Sequence, residues 1–187
     1  MKYNDSNIEQ AVNSKYNHYQ NHFLNKKITY DGLPIIPKRY PKYDNKCGTF
    51  FHMITKEKET VPCHKNPCPS DPCSYHFQYN PLINLEKEPR HICPHRLSCL
   101  NLSGFFNRQL LIWEKELSKP KGKKERILCY DPKNRYLVIL DKNKNNSYVT
   151  LWTGYPIVYQ WKHNKLLNEY KNCLLYTSPS PRDRTRS

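Results

Sequence analysis

ERILCYDPKNRYLVILDKNKNNSYVTLWTGY, residues 125–155, decides the fold. Apolar and β-branched residues alternate or cluster in three short runs, and two polar turns separate them. Residues 125–130 read as a strand, Asp131-Pro132-Lys133-Asn134 as a turn, and residues 135–140 as a strand with Tyr136, Val138 and Leu140 on one face. Residues 141–146 form a second turn, and residues 147–155 a third strand. Strands this close in sequence pair as an antiparallel meander.

Outward from the meander, residues 159–172 read as a final helix. Upstream, residues 90–101 and 105–117 are expected to be helices, the second carrying Leu110, Leu111 and Trp113. Residues 56–90 are Pro-rich with little periodicity and read as a long loop or insertion. Residues 49–55, TFFHMIT, are rich in aromatic and β-branched residues and are expected to be a strand. Residues 28–36 read as a hairpin around Asp31-Gly32, and the Pro-rich residues 37–43 as an extended connection. Residues 5–24 read as a helix, with Ser6 and Glu9 in capping-box spacing and Ile8, Val12, Tyr16, Tyr19 and Phe23 on one face. The expected class is α+β: N-terminal helices on a small antiparallel sheet, with a helix after it. The division is an N-terminal helix at 1–25 and one domain at 26–172, with a Cys/Pro-rich insertion at 56–90.

The terminal run CLLYTSPSPRDRTRS, residues 173–187, resembles the translation of a transposase adapter used in sequencing libraries. It is set aside as an artefactual tail. The expected natural chain ends near Asn172, and the formal net charge of +15 falls to +13 once three Arg and one Asp are removed.

The chain is polar, with mean hydropathy −0.93, and no apolar run is long enough to span a bilayer. The expectation is a cytoplasmic protein with reduced thiols and no membrane partner. The positive charge suits RNA or another nucleic acid as partner, through phosphate neutralisation. A solvated basic surface is the plain alternative. The chain has only five Gly and no Gly-rich phosphate loop. It has no Ser nucleophile elbow, and no carboxylate pair stands out, which argues against nucleotide hydrolases and glycosidases.

Two constellations carry chemistry. Cys63, Cys68 and Cys73 follow a C-x4-C-x4-C spacing, with Cys93, His95 and Cys99 downstream and His64, His76 and His91 nearby. Cys63, Cys68, Cys73 and Cys93 form a ligand set for zinc, which would hold a Pro-rich loop in one shape. Incidental thiols are the alternative, because x4 spacing is loose for a zinc knuckle. The second constellation is His52 with Arg126, Thr150 and Tyr155, flanked by Trp152, Tyr148, Lys123 and Lys124. A metal-independent ribonuclease needs a proton-transfer group, cations and hydroxyls for the phosphorane charge, and aromatic faces for bases. No cofactor is required for that chemistry. The alternative is that these aromatics are core and His52 is a structural histidine.

RILCYDPKNRYLVIL, then SYVTLWTGYPI, then KLLNEY resemble an uncharacterised group of phage and prophage proteins. GTFFHMIT at residues 48–55 is similar to that group's T-F-W-H segment, with Phe51 where Trp is usual, and ICPHR at 92–96 to its E-R-I-x-W-x-R helix. The group looks related to the Barnase–EndoU–colicin–RelE-like (BECR) nuclease fold. That resemblance implies N-terminal helices on an antiparallel sheet and RNA cleavage on the sheet without metal. Carried over, it implies His52, Arg126, Thr150 and Tyr155 as site positions. The group's Glu-Arg pair is Arg90-His91 here and its helix Trp is Pro94. An active site that depends on that pair would be altered in this chain.

Overall fold

A computed structural model describes residues 5–40, 42–43, 45–57, 90–101, 105–119, 122–143, 145 and 147–177. The elements in chain order are α1 (Asp5–Tyr19, continued by a π turn at Gln20–Leu24), β1 (Thr29–Tyr30), β2 (Leu33–Pro37), α2 (Gly48–Ile54), β3 (Thr55–Glu57), β4 (Arg90–Ile92), α3 (Pro94–Cys99), a 3₁₀ turn (Phe105–Asn107), β5 (Leu111–Lys119), β6 (Gly122–Asp131), β7 (Tyr136–Lys142), β8 (Val149–Pro156) and α4 (Gln160–Thr177). The class is α+β, with a helix after the sheet.

The meander of residues 125–155 lies inside a larger sheet than the sequence suggests. Six strands run in the order β1-β2-β8-β7-β6-β5, and β2 joins β8 in parallel, so the sheet is mixed. A two-stranded ladder, β3-β4, stands apart. The hairpin at Asp31-Gly32 is present, and both turn residues have positive φ, 49° and 75°. That is the two-residue turn whose twist matches paired strands, and Gly adopts it without strain.

Three expected elements differ. Residues 49–55 are mostly helix, because the short apolar run is buried on nearly every side and periodicity cannot separate a buried strand from a buried helix turn. Phe50, Phe51, Met53 and Ile54 are all buried, and His52 is the half-buried exception. Residues 105–117 are not a helix: they give a 3₁₀ turn and then the edge strand β5, paired with β6 over nine residues. Trp113 is buried while Glu114 and Glu116 are exposed. The alternation of a half-buried strand was present there beneath a helix-favouring Glu-Lys-Glu. Residues 90–101 split into β4 and the short α3.

The sheet is covered on both faces. On one side α1, α2 and α3 enclose a core of Ile8, Tyr19, Phe50, Met53, Leu97, Ile127, Val138, Leu140 and Leu151. On the other, α4 packs Leu166 against Trp113, Leu128, Tyr130, Leu137 and Ile139. Strand β7 therefore presents apolar residues to both sides, with Tyr136, Val138 and Leu140 toward the first core and Leu137 and Ile139 toward the second. Helix α4 continues past Asn172, and Cys173 packs against the second core. Among the described residues no helix is long and apolar enough to cross a membrane.

Helix α2 is seated by one hydroxyl. Thr49 is fully buried, and its Oγ1 accepts from Lys38 N at 2.8 Å while lying 3.0 Å from Leu151 O and 3.1 Å from Lys38 O. Pro37, opposite Leu151 in the β2–β8 register, has no N–H to offer. Thr49→Val keeps the shape and removes the hydroxyl. It is expected to cost about 1–3 kcal/mol, the penalty for stranding buried polar groups, whereas Thr49→Ser retains most of the stability. Urea denaturation midpoints at unchanged slope check this, and equal midpoints for Thr49→Val and wild type would overturn it.

Candidate functional site

Strand β8 slips register once. Ile139 pairs with Thr153 and Leu140 with Leu151, so Trp152 is the extra residue of a bulge on β8. A bulge of this kind re-aims a side chain. The Trp152 ring stacks on His52, with centroids 5.9 Å apart and planes 24° from parallel. Lys38 Nζ lies 5.2 Å from the same ring and the Arg126 guanidinium 5.7 Å. Cations over an indole are attracted by its negative face.

Three residues further along β8, Tyr155 carries a second set. The Arg96 guanidinium is 5.1 Å from its ring and Lys162 Nζ 4.8 Å. Helix α4 delivers Lys162, and α3 delivers Arg96. Arg96 also closes α2: its Nη1 donates to Thr55 O at 2.6 Å and to His52 O at 3.3 Å. A cation at a helix C-terminus satisfies orphan carbonyls and the helix dipole. Arg90 supports the same corner, donating from Nε to Thr55 Oγ1 at 2.9 Å, while Thr55 Oγ1 donates to Phe51 O at 2.6 Å. Arg90 thus has a structural task here.

Arg126 pairs with Asp141, Nε to Oδ1 at 3.1 Å. The register sets Arg126 opposite Asp141, and Asp141 opposite Thr150. These three form one row across β6, β7 and β8.

Electrostatics mark the cluster as crowded with positive charge. Burial lowers the Lys162 pKa from its ordinary value, and Arg96, Lys165 and Lys56 push it the same way. Burial also lowers that of Arg96, with Arg90 adding to it. Burial raises the Tyr155 pKa against the pull of Arg96 and Arg126, so its hydroxyl stays protonated and can donate at neutral pH. Like charges held close together are relieved when an anion enters.

Of the residues expected from sequence, His52, Arg126 and Trp152 meet directly, Thr150 shares the Arg126 row, and Tyr155 sits beside them on β8. His52 comes from a helix and not from a strand. Tyr148 stays apart, ahead of β8, where its carbonyl accepts from Asn143 N at 3.3 Å. Lys123 and Lys124 belong to β6 opposite Ser118 and Leu117, and their side chains lie outside the described residues. Sequence reasoning missed Arg96 and Lys162 as site residues. Arg96 sits in the ICPHR segment and Lys162 one turn past the meander, but nothing local shows that both reach Tyr155.

Cys63, Cys68 and Cys73 lie outside the described residues. Cys93 is buried at the head of α3, its N–H given to Ile54 O at 2.8 Å. Cys99 Sγ lies 3.7 Å from His95 Nε2. Among the described residues no three His, Cys, Asp or Glu side chains converge as a metal site.

Two outcomes follow from the charge crowding. Lys162→Gln is expected to raise stability at low salt by about 0.3–0.5 kcal/mol, the scale of a removed like-charge pair, and added salt should erase the difference. Thermal melts of both proteins across ionic strength measure it, and a destabilised variant would contradict the crowding. Burial, then Lys56 and Arg96, hold the His95 pKa below its ordinary 6.5. A histidine lowered by folding takes up more protons when unfolded, so its contribution is intact above that value and is lost as the pH falls below it. His95→Gln should flatten the decline in melting temperature over that range. Comparison of the chain with protein-family models, curated proteins and solved structures finds no match, so the assignment of this site rests on its geometry.

Proposed function

We propose that the cluster around Trp152, where β8 meets the C-terminal end of α2, binds RNA and cleaves it without a metal. The observation that carries this reading is the convergence of His52, Lys38 and Arg126 on the Trp152 ring. An imidazole and two cations thereby gather around one ring, and an imidazole with cations is the combination that phosphodiester transfer uses. The resemblance to the BECR nuclease fold supports the same reading, since α1, α2 and α3 precede the antiparallel β5–β8 meander and pack on it.

In this mechanism His52 takes the proton of a ribose 2′-OH. The 2′-oxygen attacks phosphorus, the bond to the 5′-oxygen breaks, and the leaving oxygen takes up a proton from solvent. The products are a 2′,3′-cyclic phosphate and a 5′-hydroxyl. Arg126 and Lys38 hold the phosphate, and the Thr150 and Tyr155 hydroxyls donate to its oxygens. Trp152 keeps His52 and the cations in place.

A second reading is RNA binding without cleavage. It is favoured by the Arg126–Asp141 pair, which commits one guanidinium nitrogen of the site, and by the packing of His52 against Trp152. Incubation of the protein with mixed RNA in EDTA separates the two. The expected result is fragments with 2′,3′-cyclic ends, lost in His52→Ala and reduced by about 100-fold or more in Arg126→Ala, the scale of removing one charge-stabilising donor. No fragments, or equal cleavage by His52→Ala, would sink the catalytic reading. Binding with a steep salt slope would then leave the binding reading standing.

A further inference from the structure

The ring the sequence offers for base stacking, Trp152, is already engaged by His52, Lys38 and Arg126. Trp113 is buried. Among the described residues two other large aromatic residues are exposed, one adjacent in sequence to the Tyr155 cation Lys162 and one two residues from the Trp152 cation Lys38. Trp161 is 64% exposed and immediately precedes Lys162, the cation over Tyr155. Its ring stacks on Tyr159 at 6.1 Å and 22°, so it is held in a fixed attitude. Tyr40 is 67% exposed and lies two residues beyond Lys38, the cation over Trp152, with Lys42 Nζ 5.6 Å from its own ring.

We propose that Trp161 and Tyr40 are stacking platforms for unpaired bases, working with the cations at Tyr155 and Trp152, so that the site takes single-stranded RNA. This rests on the RNA reading above and names its substrate class. Every base has a π face, and an exposed ring beside a phosphate-binding cation holds base and backbone together. Lys162 and Lys165 near Trp161, and Lys38 and Lys42 near Tyr40, supply charge complementary to a polyanion. A duplex keeps its base faces stacked on one another and cannot use either ring.

The test titrates the full chain with a short oligouridylate and with duplex RNA of the same length, following binding by anisotropy and tryptophan fluorescence at several salt concentrations. The single strand is expected to bind more tightly than the duplex and to quench fluorescence, with the quench absent in Trp161→Phe. Trp161→Ala should weaken single-strand binding by about 5- to 100-fold, the range for one base stack, and leave the salt slope unchanged. Trp161→Phe should retain most of the affinity, and Tyr40→Ala should show a smaller loss of the same kind. Both positions are on the surface, so circular dichroism should match wild type. Salt-dependent RNA binding that Trp161→Ala and Tyr40→Ala leave unchanged overturns the platforms and spares the site. Equal affinity for duplex and single strand overturns the substrate class. Absence of RNA binding by the wild type overturns the site and the platforms together.

Discussion

A helix of seven residues cannot hold itself in water, and the site depends on one that is held from both ends. The N-cap of α2 is Cys47, whose side chain caps nothing. The chain supplies the missing acceptors instead: Gly48 N donates to Arg39 O at 3.3 Å and Thr49 N to Lys38 O at 3.1 Å. Tyr16 of α1 receives Cys47 N at 3.2 Å. At the other end Arg96 takes the carbonyls of His52 and Thr55. Orphan groups at both termini are thus matched by three separate parts of the chain.

That seating places His52 against β8. It also sets Met53 of α2 against β8 at Gly154. A Cβ there would stand 2.7 Å from Met53 Cε and 3.2 Å from the Tyr136 ring. The missing side chain leaves room there for the Met53 methyl and for Tyr136 and Val138 of β7. Two residues earlier, the bulge at Trp152 turns the indole toward His52. Helix seat, glycine and bulge are coupled, because each adjusts the same few ångströms between α2 and β8.

The cations of the site have mixed duties. Arg96 caps a helix and also stands over Tyr155, and Arg126 answers Asp141 and also stands over Trp152. Residues that act in both packing and charge placement keep a site rigid at a cost in electrostatic repulsion. Burial is the main cause of the depressed Lys162 and Arg96 pKa values, with neighbouring cations adding to it.

The sequence by itself determined the meander, the hairpin at Asp31-Gly32, and the first and last helices. These are local features: alternation, turn residues and a 3.6-residue period act over a few positions, and they survive any tertiary context. It also singled out His52, Arg126, Trp152 and Tyr155 by residue type. Only the tertiary structure decided that TFFHMIT coils into a helix, because burial on nearly every side removed the periodic signal. It alone turned residues 111–119 into an edge strand, because nine residues of pairing with β6 outweighed the helix preference of Glu-Lys-Glu. The parallel contact of β2 with β8 joins segments more than a hundred residues apart, beyond the reach of any local pattern. The same is true of Arg96 and Lys162 over Tyr155. Their place in the site comes from how α3 and α4 pack on the sheet, and packing is a property of the whole chain.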